Sequence, residues 1–224
     1  MYKTELHCHS KEVSPCSTED VESLVEIYEK AGYSTVILTN HYSSPVYKHF
    51  GYTDINEYVD NLFDTVEKMK KVANGKFEVL LGIEIRFNEN CNDYLCFGVT
   101  EEFLRSNPQV FEMSVGEFHN ICRENGWLLV QAHPFRNGMC VVHPDCLDGI
   151  EVYNGHVGHH SRNFIAKEWA KEYNLLQTSG TDLHYKTVPA TGGILTDEKI
   201  TSISQLIETI KNGNYTLLTS DLVR

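Results

Sequence analysis

Thr4-Glu5-Leu6-His7-Cys8-His9-Ser10 decides how this chain is read, because it ends an alternating, strand-like run (Tyr2–Cys8) on two imidazoles. Residues two apart on a strand point to one side, so His7 and His9 leave the strand end together. The arrangement recurs along the chain. Ser34–Thr39 (STVILT) is a β-branched run suited to a buried parallel strand, and His41 follows it in LTNHY. Glu84 lies near the end of Phe77–Ile85, inside GIEI; His133 follows Trp127–Ala132 in QAHPFR. Asp182 and His184 follow Leu175–Ser179 in SGTDLH. Five separate strand candidates thus end on His, Asp or Glu.

Helical patterns fill the intervals. Ser17 or Thr18 can cap a helix whose Val21, Leu24, Val25, Tyr28 and Ala31 share one face, with Gly32 as its stop. Asp54 begins a longer helix through Ile55, Tyr58, Val59, Leu62, Phe63, Val66 and Met69, ended by Gly75. Ser114 with Glu117 forms a capping-box pattern ahead of a helix to Asn125. Tyr94–Val99 and Gly149–Tyr153 read as further strands and Arg162–Tyr173 as a helix, and Ile203–Lys211 with Tyr215–Thr219 close the chain. Seven or eight strands interleaved with helices indicate parallel βαβ units, as a closed barrel or an open doubly wound sheet. No repeat or linker breaks the pattern, so one domain over residues 1–224 is expected. No GxGxxG or GxxxxGK[ST] follows any strand, which removes the main support for a nucleotide-cofactor fold.

Composition narrows the function classes. Lys plus Arg number 19 against 31 Asp plus Glu, a formal net charge of −12. That surface repels a phosphate backbone, so no duplex nucleic acid is expected as a partner. No stretch approaches the roughly 18 apolar residues of a membrane span, so no membrane partner is expected either. Seven Cys without a CxxC pair, behind an N-terminus lacking an apolar signal region, read as reduced thiols in a cytoplasmic protein. Neither composition nor motif addresses the oligomeric state.

The chemistry lies in the strand-end residues. In a parallel barrel those ends converge on one face, where active sites are assembled. Neutral imidazole and carboxylate together suit Zn, Mn or Fe. Glu84 sits in the apolar stretch LLGIEI, where a carboxylate is costly unless it is paired or holds a cation. A core salt bridge is the ordinary alternative for Glu84, and a backbone-bonded turn for Asp182. Both would have to coincide with three further strand-end His positions.

The motifs Glu5-Leu-His7-Cys-His9, Asn40-His41, Gly82-Ile-Glu84, Ala132-His133-Pro134 and Gly180-Thr-Asp182-Leu-His184 resemble the PHP (polymerase and histidinol phosphatase) family of metal-dependent phosphoesterases. The resemblance implies a distorted (β/α)7 TIM-like barrel with two to three divalent metal ions (Zn, Mn or Fe) at the strand ends. His7, His9, Glu84 and Asp182 would hold one ion. Glu84 would bridge to a second that also uses His133, and His41 with His184 would hold a third. Where many members place Asp or His shortly after HxH, this chain has Ser14-Pro15-Cys16; Glu12 is the nearer substitute and Cys16 a softer one. Asn40 replaces a family carboxylate, and no His appears between Glu84 and Phe118, where trinuclear members place one.

The implied activity is hydrolysis of a small phosphorylated metabolite by a metal-bound hydroxide, with Glu84 and Asp182 in the catalytic centre. Arg136 and Arg162 are candidates to bind the remaining phosphate oxygens, since the guanidinium fork suits them. His156 in YNGH stands to protonate the leaving oxygen. Glu151 in EVYN reads either as a supporting group behind the site or as a buried ion pair. Two alternatives remain: an amidohydrolase-type C–N hydrolase on the same metal barrel, and a catalytically impaired metal-binding module.

Overall fold

The computed structural model describes residues 1–223. Eleven strands alternate with seven α-helices among them. In chain order the first half runs β1 (Tyr2–Glu5), α1 (Val21–Lys30), β2 (Thr35–Leu38), β3 (His41–Ser43), α2 (Ser44–Phe50), α3 (Ile55–Ala73), β4 (Glu78–Leu81) and β5 (Ile83–Arg86). The second half runs β6 (Tyr94–Phe97), α4 (Glu101–Ser106), α5 (Val115–Asn125), β7 (Leu128–Gln131), β8 (Gly149–Asn154), α6 (Asn163–Glu172), β9 (Leu176–Gly180), β10 (Ile194–Thr196), α7 (Ile203–Lys211) and β11 (Thr216–Leu217).

Hydrogen bonding divides the strands into two sheets, in the orders β11-β10-β1-β2-β4 and β3-β5-β6-β7-β8-β9. Neither sheet by itself closes into a ring. The run expected as one strand over Phe77–Ile85 is broken at Gly82, where the chain passes from the first sheet to the second. A Cβ there would stand 2.9 Å from Thr39 Cγ2 and 3.0 Å from Ile37 Cγ2, so only glycine fits the crossing. The neighbouring chain makes the same passage from β2 to β3 through Thr39 and Asn40. Beyond β1 and β9, Cys8 pairs with Leu183 in an isolated parallel bridge, and the Asp182 N–H donates to His7 O at 2.9 Å.

Uniformly parallel βαβ connections are not what the chain adopts. β6 runs antiparallel to both β5 and β7. The chain returns from Arg86 to Tyr94 in too few residues for a crossover helix, and a return that short forces antiparallel pairing. β10 is likewise antiparallel to β1. The parallel pairs β1-β2-β4 and β7-β8-β9 carry their carboxyl ends toward the same group of side chains.

Helix ends follow local chemistry. Asp20, rather than Ser17 or Thr18, caps α1 by accepting from the Ser23 N–H at 2.9 Å. Asp54 caps α3, and Ser114 with Glu117 forms the full capping box on α5. α1 and α3 cover the first sheet through Leu24, Val25, Tyr28, Val66 and Met69, all buried. Each such side chain contributes about 1.5–3 kcal/mol relative to exposure. No helix among the described residues is long and apolar enough to cross a membrane.

Candidate metal centre

Glu84 leaves β5 at the middle of a ring of imidazoles. Its Oε1 lies 3.3 Å from His7 Nε2 and 3.2 Å from His133 Nε2. Its Oε2 lies 2.9 Å from His41 Nδ1 and 3.2 Å from His9 Nε2. Asp182 Oδ1 faces the same ring, 3.4 Å from the Nε2 atoms of both His7 and His9. The donor atoms of His7, Glu84 and His133 lie within 4.8 Å of one another; so do those of His7, His9 and Asp182, and of His9, His41 and His184. His133 and Asp182 both hold positive φ, 30° and 52°, at their strand ends. Such backbone strain at non-glycine residues persists only where the surroundings enforce it.

Outer contacts fix which imidazole nitrogen faces inward. His7 Nδ1 is 2.9 Å from Glu151 Oε1, and a carboxylate can only accept, so Nδ1 carries the proton and, in the neutral imidazole that would hold a cation, Nε2 is bare. His184 Nδ1–H donates to the Asp182 main-chain oxygen at 2.9 Å, leaving its Nε2 bare as well. The Ser14 hydroxyl donates to Asn40 Oδ1 at 2.9 Å and so accepts from His9 Nδ1 at 3.3 Å, which again bares Nε2. His7 Nε2 and His9 Nε2 face each other at 3.0 Å, a contact that one shared proton closes in the metal-free protein and that a cation would have to replace.

That packing is unfavourable without a positive charge at the centre. Glu84 Oε2 and Asp182 Oδ1 have no hydrogen-bond partner although both residues are 1% exposed. Burying a carboxylate costs several kcal/mol in order of magnitude unless positive charge offsets it, here imidazolium or a cation. Divalent cations suit this donor set of imidazole and carboxylate.

The metal-free charges show the same tension. Burial alone would depress His7, but Asp182, Glu151 and Glu84 reverse that and hold it well above its ordinary value. Burial likewise opposes His41, yet Glu84 and Cys16 raise it well above the usual range; His184 rises to about 9 beside Asp182. Burial disfavours ionised Glu84 and Asp182, but neighbouring imidazoles hold both carboxyls well below the ordinary range. Raised imidazoles give stability that is complete below their unfolded value and is lost as pH rises through the folded one. Depressed carboxyls give stability lost as pH falls below their ordinary range. Metal-free protein is therefore expected to melt highest between about pH 4.5 and 6.5. Cation-loaded protein should instead gain Tm as pH rises from 6 to 8, because loading displaces protons. Parallel Tm–pH curves for the two forms would contradict this.

Four expected site residues lie outside the ring. Glu12 does not join the cluster. The Ser14 N–H donates to Ser10 O at 2.8 Å, closing a turn that faces Glu12 outward, where its Oε1 accepts from Val21 N–H at 3.1 Å and from Lys68 Nζ at 2.9 Å. Arg162 donates to Phe135 O at 2.6 Å and to Asn137 Oδ1 at 2.5 Å, so it supports the loop after β7 rather than reaching the ring. Arg136 is half-buried on that loop, its Nη2 3.3 Å from Asp93 Oδ2. His156 stacks on His159 with centroids 3.8 Å apart and lies 5.2 Å from the His184 ring, at the rim.

Two acidic residues are drawn in that the ligand pattern did not include. Asp93 is buried, pairs bidentately with Arg86 at 2.7 Å and forms a donor group with His41 and Glu84. It occupies the β6 side of the ring, where no His was available. Glu151 holds His7 through Oε1 and accepts from the His133 N–H through Oε2 at 2.9 Å. Asn154 bridges Glu151 Oε2 and Asp182 Oδ2 at 2.9 and 3.1 Å. Replacing Glu151 by Gln is expected to weaken metal affinity by about 10–100-fold by freeing the His7 tautomer. Competition against a chromogenic chelator measures it, and an unchanged affinity would refute the orienting role.

The PHP domain family matches residues 5–216. No curated protein sequence matches the chain. Among solved structures, it is similar to a two-domain protein from Bacteroides vulgatus containing a predicted PHP-like metal-dependent phosphoesterase: TM-score 0.66, 19% identity, 97% of this chain and 64% of that one. Endonuclease Q bound to a 27-mer duplex with an abasic lesion superposes with TM-score 0.61 and 14% identity, over 96% of this chain and 58% of that one. An amidohydrolase from Chromobacterium violaceum gives TM-score 0.50 and 12% identity, over 98% and 99%. The chain thus spans less than two thirds of the first two proteins, and identities this low carry the fold alone. The exclusion of duplex nucleic acid from the net charge of −12 is overturned by the endonuclease complex. Overall charge does not fix the potential at a strand-end cleft, where a few cations and arginines dominate. With its family match extending over nearly its whole length, this chain belongs to the PHP domain family.

Proposed function

We propose that the chain is a metal-dependent phosphoesterase that hydrolyses a small phosphate ester in a centre of two to three ions built on Glu84. The observation that carries this is the convergence of buried imidazole nitrogens on two buried carboxylate oxygens, Glu84 Oε2 and Asp182 Oδ1, neither of which has a well-directed hydrogen bond. We read the two sheets as parts of one distorted (β/α)7 barrel, in a single domain, joined across the Cys8–Leu183 bridge. His7, His9, Glu84 and Asp182 would hold one ion, Glu84 and His133 a second, and His41 with His184 a third. Bound zinc, manganese or iron would supply Lewis-acid stabilisation of the phosphate and a water reactive near neutral pH.

The chain's own residues orient the ester. Arg136 projects from the loop after His133 and, held by Asp93, directs its guanidinium along the rim to bind non-bridging oxygens. Burial, aided by His184 and Arg136 against the pull of Asp182, lowers His156 and so favours its neutral imidazole. His156 Nδ1 accepts from the Gly158 N–H at 3.0 Å, which leaves the proton on Nε2. Its role is then hydrogen-bond donation to the leaving oxygen rather than full proton transfer.

The test is a panel of phosphate monoesters, diesters, a lesion-bearing duplex and amides, assayed before and after chelation. Phosphoester turnover lost on chelation and restored by Zn or Mn is expected. Turnover confined to amides, or unaffected by chelation, would overturn the reading. Turnover confined to the duplex would transfer the substrate class to nucleic acid.

A further inference from the structure

Cys16 is carried to the metal centre by the turn that removes Glu12. Asn40 holds that turn through the Ser10 N–H at 2.8 Å and the Ser14 hydroxyl at 2.9 Å, and Cys16 emerges beside His184 and His41. Its Sγ lies 3.2 Å from His184 Nε2. With the His184 Nδ1–H donated to Asp182 O, the metal-free Cys16–His184 contact is a hydrogen bond through one proton on Nε2 or Sγ, and losing that proton would leave sulfur and nitrogen as two metal ligands. Ligands at Zn–S of about 2.3 Å and Zn–N of about 2.0 Å, separated by a tetrahedral angle, stand about 3.5 Å apart. The observed pair is close to that spacing. A separate observation points to a cation here. Glu84 Oε2, buried and without a well-directed hydrogen bond, lies 2.9 Å from His41 Nδ1, and the ligand atoms of His9, His41 and His184 lie within 4.8 Å of one another.

We propose that Cys16 contributes a thiolate to the ion held between His41 and His184, making that position a soft nitrogen–sulfur site selective for zinc. This rests on the metal-centre reading above. Binding breaks the S–H bond, forms the sulfur–metal bond and releases the proton to water. Thiolate with imidazole favours zinc, whereas the carboxylate-bridged position at Glu84 also suits manganese or iron. The centre is then of mixed character, with its zinc-selective end beside His41, the most exposed of the clustered imidazoles at 17%.

Titrating metal-free protein with Co2+ and recording absorption tests this. The wild-type protein should develop a near-ultraviolet sulfur-to-cobalt charge-transfer band as cobalt binds. Cys146→Ser should keep the band. Cys16→Ser should lose it while still binding cobalt at Glu84, and Cys16→Asp should recover the lost ion without the band. A cobalt-loaded wild-type protein lacking the band, or a band that survives in Cys16→Ser, would overturn the proposal and leave the phosphoesterase reading intact. Failure of wild-type protein to bind cobalt at all would defeat both. Cadmium-113 resonance of the unmutated chain gives the same readout should Cys16→Ser not fold: a sulfur-shifted signal supports the thiolate, and its absence overturns it.

Discussion

Replacing Glu84 by Gln is expected to lower kcat/KM on a phosphate ester by at least about 1000-fold, or ~4 kcal/mol of transition-state stabilisation. The far-ultraviolet circular dichroism should stay unchanged. Glu84 faces His7 and His133 through one oxygen and His9 and His41 through the other, so it joins both sides of the ring. The amide removes the negative charge and replaces one acceptor with a donor, which cannot face a cation. Bound metal should fall in parallel, as measured by elemental analysis. The loss should therefore appear in kcat and in metal stoichiometry together. Full metal content with activity within tenfold of wild type would remove Glu84 from the role assigned to it.

Gly180→Ala is expected to destabilise the protein by more than about 4 kcal/mol, an exceptional value for one methyl. β9 ends against the chain just after β1, and an added Cβ would stand 2.3 Å from His7 Cβ and 2.7 Å from Glu151 Oε1. Neither neighbour can yield. His7 is fixed by Glu151, and the Gly180 backbone itself lies against Gly192, whose own Cβ would come within 2.0 Å of Gly180 C. Denaturant midpoint is the measurement; a loss below about 1 kcal/mol would show that the β1–β9 junction is looser than its spacing. Because the junction carries both His7 and Asp182, metal affinity should fall even in any folded fraction.

The strand-end donors were legible because each follows an apolar or β-branched run, and period-two alternation states which side a residue leaves by. His7, His9, His41, Glu84, His133, Asp182 and His184 were all found this way, and the structure gathers them. Asp93 was not legible. It closes the polar stretch Asn88–Asp93 and stands before a strand rather than after one, where the bidentate pairing with Arg86 offsets the burial of its carboxylate. Glu12 was misplaced for a related reason: proximity in sequence to His9 says nothing about which way a turn faces, and a turn closed four residues apart reverses it. The antiparallel β6 did leave a signal, since the interval before it is too short for a crossover helix. The division into two sheets left almost none beyond Gly82, because it depends on contacts with Ile37 and Thr39 that are distant in sequence.

Anomalous diffraction from crystals of the zinc- or manganese-loaded protein tests the metal centre most directly. At least two peaks are expected, each about 2.0–2.3 Å from ligand atoms drawn from His7, His9, Glu84, His133 and Asp182. A map from loaded crystals with no peak inside that ring, or with its peaks on other residues, would contradict the central claim.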